Sequence, residues 1–359
     1  MGIIDEDKLA SGIEKRNLAK YPLFPESLKA LSEYPEKFNT NYSDHFGFRE
    51  LLTKIYFKLV YYLGIQSAID DVTFGQDDWL FLGSIKKGYQ KYDDPIGDVM
   101  NVDLYTQREL ADFVSSIVAI KNWLGNKGIE YVYVIAPNKH TIYFENLPKY
   151  ISKQNNKSST DQVLEYLQKH TDVAVVDLRP PLFAEKIKNQ VYFKYDTHWN
   201  QYGANAAQYE IMKKVKSLFP GKIAPFRLNK DQFEILTTNE GDLAGLSKTD
   251  NLTENMPQPI FKDGCTPVND VPDPKFGETH TLVCNNQRLN TIVFMDSFFV
   301  SLKPYISRHF YRSTYIWERI NEASLTKYVE QEKPDIVIDE VVERTFPYML
   351  PSEFFSSYY

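Results

Sequence analysis

Asp196 and His198 stand two residues apart in Val191-Tyr-Phe-Lys-Tyr-Asp-Thr-His-Trp-Asn200. Val191 to Tyr195 alternate aromatic and β-branched residues, which predicts a short strand or extended entry. In an extended backbone, side chains at i and i+2 share a face. A carboxylate there can bind one imidazole nitrogen and leave the other free to take a proton, which makes the orienter and base of a nucleophilic triad. The nucleophile that fits is Ser297. Leu289 to Met295 is an apolar run of buried-strand type, and Asp296-Ser297-Phe298 follows it before an expected helix. A serine at a strand-to-helix turn is held out from the backbone where a substrate carbonyl can reach it. Taken singly, an Asp-x-His pair or an Asp-Ser dipeptide is commonly a surface hydrogen-bonding pair. Their joint position at strand ends, with no stronger motif elsewhere, favours the chemical reading.

The elements that must place these residues follow an α/β rhythm. Strands are expected at 129–136, 173–178, 289–295, 313–317 and 335–341. Helices are expected at 105–127, 158–169, 201–219, 300–310 and 323–332. Strands alternating with helices give a mostly parallel sheet covered on both faces, and ligands of such sheets bind outside the carboxyl ends of the strands. Asn138, His140, Asp196, His198, Ser297, Trp317 and Glu340 all follow strand runs. Residues 1–100 read as an N-terminal arm, a helix from about Asn41 to Leu63 capped by Ser43 or Asp44, and a hairpin at Val72 to Leu82, all packed on the core. Residues 101–359 read as the α/β domain, with a loop-rich insertion at about 220–288 and an aromatic tail from Arg344 that packs back on the body. No separate binding module is expected.

Composition narrows the classes. Net charge is −7 over 359 residues and no basic cluster occurs, which argues against nucleic acid as a partner. No run of about 18 apolar residues is present. Met1-Gly-Ile-Ile-Asp-Glu lacks the features of a signal peptide, so either the protein is cytoplasmic or a leader or anchor precedes this stretch. Cys265 and Cys284 share the polar insertion. A bridge between them would close a loop of about 20 residues, worth ~3 kcal/mol in the chain-entropy picture, and would mean an oxidising compartment. Two independent thiols are the other reading. His140 follows a strand and could join Asp196 and His198 around a metal, but neither His-Glu-x-x-His nor Cys-x-x-Cys occurs. No metal and no cofactor is expected, and His45, His170, His280 and His309 receive no role.

Six stretches taken in order resemble the AlgX/AlgJ-type group of SGNH-hydrolase-like polysaccharide O-acetyltransferases. They are Asp44-His-Phe-Gly-Phe-Arg49, Trp79-Leu-Phe-Leu-Gly83, Ala136-Pro-Asn-Lys-His140, Tyr195-Asp-Thr-His-Trp-Asn200, Gly241-Asp-Leu-Ala244 and Asp296-Ser-Phe298. The serine block comes last and the Asp/His block earlier, the reverse of ordinary SGNH hydrolases, so the resemblance implies a circularly permuted SGNH fold. It also implies acetyl transfer from a covalent acetyl-serine to hydroxyls of a bacterial surface or exported polysaccharide. The enzyme would lie outside the cytoplasm, anchored by a segment absent from this stretch, with acetyl groups relayed by a membrane-bound O-acyltransferase. A carbohydrate esterase and a non-catalytic polysaccharide-binding protein of the same fold are the alternatives. Ser297 is the expected nucleophile, His198 the base and Asp196 the orienter. The backbone N–H of Ser297 and, less directly, Asn138 are the expected oxyanion donors. Trp199, Tyr305 and Trp317 are candidate walls of an acceptor groove, with core packing as the competing role. Arg319 and Arg344 are candidate holders of an acidic sugar, with ion pairing as the competing role.

Overall fold

The computed structural model describes residues 10–11, 16–48, 52, 55–56, 59, 71–85, 94–102, 104–239, 241–247, 249, 252–262, 264–270 and 278–348. In chain order its strands are β1 (Ala10–Ser11), β2 (Arg16–Asn17), β3 (Val72–Phe74), β4 (Leu80–Leu82), β5 (Glu130–Ala136), β6 (Ala174–Asp177), β7 (Phe233–Thr238), β8 (Glu254–Pro259), β9 (Val268–Asn269), β10 (His280–Val283), β11 (Asn290–Phe294), β12 (Arg312–Ile316) and β13 (Ile336–Val342). Seven of them form the central sheet in the order β6-β5-β13-β11-β12-β10-β9. The first five of that order run parallel, and β10 and β9 add an antiparallel edge. The protein is therefore α/β, with a mostly parallel sheet between helices.

The sheet is buried on both faces because its strands present apolar side chains at both parities. On β5, Val132, Val134 and Ala136 pack into one cluster with Ile211 and Met212 of the helix Gln201–Leu218. Tyr131, Tyr133 and Ile135 point the other way, against Leu110, Phe113 and Ile117 of the helix Gln107–Gly125. Side chains of this size contribute ~1.5–3 kcal/mol each when fully buried. Helix starts are encoded locally. Thr106 with Glu109, and Ser158 with Asp161, form reciprocal capping boxes. The Oδ1 of Asn200 accepts from the backbone N–H of Tyr202 and of Gly203, which opens the helix directly after His198.

The structure departs from the sequence reading in four places. The N-terminal arm holds a 17-residue helix, Leu28–Asp44, with Ser27 as its cap and Pro35 inside it. Asp44 ends that helix and does not open the next. An interior proline costs ~3 kcal/mol in a helix, so a helix through Pro35 runs against the local sequence signal. Eleven of the 23 residues of the helix expected from Asn41 to Leu63, and the tail after residue 348, lie outside the described residues; Leu52, Ile55, Tyr56 and Leu59 are helical. Residues 300–310 form a 3-10 turn (Ser297–Leu302), a short helix (Lys303–Ile306) and a second 3-10 turn rather than one helix.

The stretch at 220–288 is the fourth departure. It contains the antiparallel pair β7–β8, a short helix Asp242–Leu246, and the two strands that extend the central sheet. Five of the six side chains of β7 are exposed or partly exposed, and β8 carries two prolines. Neither strand shows the hydrophobic alternation that announces one.

Cys265 and Cys284 are joined by a disulfide that ties the loop before β9 to the end of β10. They stand 19 residues apart. The double change Cys265→Ser with Cys284→Ser is expected to lower the unfolding free energy by about 3 kcal/mol, read as a lower urea midpoint. Among the described residues no helix is long and apolar enough to cross a membrane.

Candidate active site

Ser297 sits just beyond the carboxyl end of β11, and Asp296 fixes it there. Asp296 caps the following 3-10 turn, its Oδ1 accepting from the Phe298 N–H at 2.9 Å. Its Oδ2 accepts from the Val342 N–H at 2.9 Å and from Arg319 Nη2 at 3.0 Å. Its own N–H donates to Glu340 Oε2 at 3.1 Å. Burial, and then the Asp296 charge, push the Glu340 carboxyl well above its usual range. Arg319 completes the frame by donating to the Glu340 carbonyl at 3.0 Å and to Thr345 Oγ1 at 2.7 Å. The serine is thus clamped between the ends of β11 and β13.

His198 comes from a bend rather than a strand. Tyr192 and Trp199 form one antiparallel bridge, and Asn200 N–H donates to the Val191 carbonyl at 2.9 Å. Residues 194–198 bend between these contacts. Asp196 Oδ1 accepts from both the backbone N–H of His198 (2.9 Å) and its Nδ1 (2.8 Å). The two-residue spacing meets through a turn closed by that carboxylate. On the far side of the ring, His198 Nε2 lies 2.7 Å from Ser297 Oγ.

The electrostatics define the proton positions. Burial works against the charge on Asp196, but the His198 ring and the N–H groups of Asp242 and His198 outweigh it and hold the carboxyl down at about 2. With Asp196 ionised, the proton on neutral His198 belongs at Nδ1, and the Nε2 lone pair faces the serine hydroxyl. Asp242 locks the turn reciprocally. Its N–H donates to Asp196 Oδ2 at 3.0 Å, and its Oδ1 accepts from the Thr197 N–H at 2.7 Å. Burial, then the neighbouring Asp196, raise the Asp242 carboxyl above its ordinary value.

The remaining sequence candidates separate by burial and partners. Trp199 and Tyr305 are fully buried, so neither can wall a groove. Trp199 packs edge-on to Phe298 at 5.2 Å, and Tyr305 donates its hydroxyl to the Gln201 carbonyl. Trp317 is half-buried against the core. Asn138 is 1 % exposed, with its side-chain amide on Asp98 Oδ2 and its Oδ1 accepting from Arg344 at 2.7 Å. No substrate oxygen reaches an amide buried in that way, and it orients Arg344 instead. The Arg344 guanidinium stands 5.6 Å from the Phe298 ring, whose centroid is 4.9 Å from that of His198. Arg344 and His198 thus share Phe298 as a neighbour, while the Arg319 guanidinium is committed to the serine turn. His140 Nε2 bonds the Leu82 carbonyl, and burial pushes the ring down to about 3. It stays neutral, apart from the triad.

Sequence reasoning named Asp242 only within the stretch Gly241-Asp-Leu-Ala244, with no role, and missed Glu254; both lie in the insertion. Glu254 accepts from the backbone N–H groups of Lys194 and Tyr195 at 2.6 and 3.0 Å. One signal was present in Gly241, where a Cβ would lie 2.2 Å from the Tyr195 carbonyl oxygen. Only glycine lets the insertion approach the Asp196 turn so closely.

A family model described as SGNH hydrolase-like domain, acetyltransferase AlgX, matches residues 72–301. The chain is 26% identical over 261 residues to the probable alginate O-acetylase AlgJ of Pseudomonas syringae pv. tomato, covering 70% of this chain and 61% of that protein. The probable alginate O-acetylase AlgJ of Azotobacter vinelandii is 23% identical over 227 residues, covering 62% and 53%. The chain thus spans between about half and three fifths of the length of these relatives. Among solved structures, Bacillus cereus PatB1 with a sulfonyl adduct superposes with a TM-score of 0.52 at 17% identity, over 79% of this chain and 99% of that one, a likeness of fold. The matched region takes in more than half of the sequence, from the first strand of the β3–β4 hairpin through Ser297, and on that ground the chain belongs to the SGNH hydrolase-like, AlgX-type acetyltransferase domain family.

Proposed function

We propose that the protein transfers acetyl groups to hydroxyls of an exported bacterial polysaccharide through an acetyl-enzyme at Ser297. The observation that carries this reading is the unbroken hydrogen-bonded run from Ser297 Oγ through His198 to Asp196. Ser297 Oγ attacks the acetyl carbonyl carbon as its proton passes to His198 Nε2. The bond to the donor's leaving group then breaks, and the leaving group takes that proton. An acceptor hydroxyl repeats the attack on the acetyl-serine, giving its proton to His198, which returns it to the departing Ser297. Asp196 remains anionic throughout and stabilises the imidazolium. The Ser297 N–H, at the start of the 3-10 turn, is the proposed oxyanion donor. The donor group is proposed to arrive from a membrane-bound O-acyltransferase at an extracytoplasmic site.

Transfer to sugar instead of water requires a held acceptor. An open cleft of about 540 Å³ lies beside the His198 bend, lined in part by Lys194, Tyr195, Asn200, Tyr202, Lys230 and Glu254 and not by Asp196, His198 or Ser297 themselves. Its mixed polar and aromatic lining, with two lysines against one carboxylate, is the proposed seat of an acceptor sugar such as the alginate in the relatives' names. Tyr202→Ala is expected to raise the acceptor KM about 10-fold while leaving acceptor-free turnover unchanged, a loss of binding without a loss of chemistry.

The test of the whole reading is p-nitrophenyl acetate turnover with and without an alginate oligosaccharide, followed by mass spectrometry of the sugar. Acetylated sugar supports transfer. Acetate release that ignores the acceptor, with no acetylated sugar, identifies a carbohydrate esterase instead.

A further inference from the structure

We infer that Lys139 is a positioning residue for the reaction, its buried ammonium setting the Asp196–His198 bend from behind. Lys139 opens the short helix after β5 and is 1 % exposed. Its Nζ donates to three carbonyls of that bend: Asp196 at 2.7 Å, Lys194 at 3.1 Å and Phe193 at 3.2 Å. An ammonium has three N–H donors and no acceptor, so donors and carbonyls match one to one. The cation also lies 5.3 Å from the Phe81 ring centroid and 5.7 Å from that of Trp79, within cation–π range. Three backbone carbonyls drawn to one point cannot be reproduced by a neutral apolar side chain. The direction of the Asp196 carboxylate, and through it the imidazole ring, depends on that convergence.

The charges around Lys139 are named by its neighbours. Burial pushes the ammonium down to about 7, against the attraction of Asp196, Asp242 and Glu254. His140, next in sequence, is neutral. Below that pH the three-donor cation is present. As pH rises through it, the amine keeps two N–H groups for three carbonyls. The bend then loses a tether on the alkaline side.

The inference rests on the acyl-serine reading only for what the positioned pair does, so its test needs neither acceptor nor natural donor. The rate of Ser297 labelling by phenylmethanesulfonyl fluoride is compared in the wild-type protein and in Lys139→Met, with folding followed by circular dichroism and the His198 Nδ1–H by its downfield proton resonance. Folded Lys139→Met is expected to label about 10²-fold more slowly, the size of effect that a misplacement of about 1 Å brings, with the downfield resonance lost. A folded variant that labels within about twofold of wild type and keeps the resonance overturns the inference. If Lys139→Met does not fold, the wild-type profile decides. A labelling rate that falls between about pH 7 and 10 supports the tether, and one that is flat over that range overturns it. Failure of the function reading looks different: the wild-type protein itself then leaves Ser297 unlabelled.

Discussion

Ser297→Ala is expected to lower acetyl-ester turnover by about 10⁴-fold or more and to abolish the acetyl-enzyme, since Ser297 carries the hydroxyl bonded to His198 Nε2. Ser297 Oγ makes one described bond, to His198 Nε2 at 2.7 Å, while Asp296 and Arg319 hold the surrounding turn. The substitution removes one oxygen and leaves that frame in place, so the melting temperature should change little. Mass spectrometry after a single turnover checks the first point: an acetyl adduct appears in the wild-type protein and not in the variant. In cells, unchanged surface acetylation with Ser297→Ala would mean that the protein acts as a scaffold and not as a catalyst.

Asp196→Asn is expected to lower turnover by about 10⁴-fold through the tautomer rather than through the fold. An asparagine amide can keep the bond from the Asp242 N–H, but it cannot hold a proton at His198 Nδ1 as a carboxylate does. The ring then turns its N–H toward Ser297 and ceases to be a base. The wild-type carboxyl sits at about 2 because the His198 ring and two backbone donors favour its charge over the burial that opposes it. This group binds its proton less readily in the folded protein than in the unfolded one. Its stabilising contribution is therefore complete above the ordinary aspartate range near 4 and is lost as pH falls toward 2. The variant should lose that acid dependence of stability, which thermal melts between about pH 2 and 5 would read.

The frame of the fold is legible because its strands are long apolar runs between polar punctuation. β5, β11 and β13 are buried at nearly every position, and such runs leave few alternatives. Asp196, His198 and Ser297 are legible by residue type, and Ser297 also by its place after β11; the strand expected before Asp196 is a bend closed by one bridge. The supports are less so. Asp242 and Glu254 act largely through backbone N–H groups of the Asp196 turn, and nothing in a polar, proline-containing stretch announces which N–H a carboxylate will find. The aromatic candidates fail for the converse reason. Trp199 and Tyr305 have the chemistry of sugar platforms, but their area is spent on the core beneath the triad. Residue type cannot tell a wall from a foundation until the neighbours of the ring are known.

The place of β13 in the sheet has a consequence for how activity is born. Last of the strands in the chain, it lies between β5 and β11, so within the sheet the strand of the N-terminal half and the strand that leads to Ser297 are joined through it. During synthesis the base segment emerges 99 residues ahead of the serine, and both wait for the keystone strand. A chain cut before β13 would lack both the partner of β5 and β11 and the Val342 N–H that holds Asp296 beside Ser297.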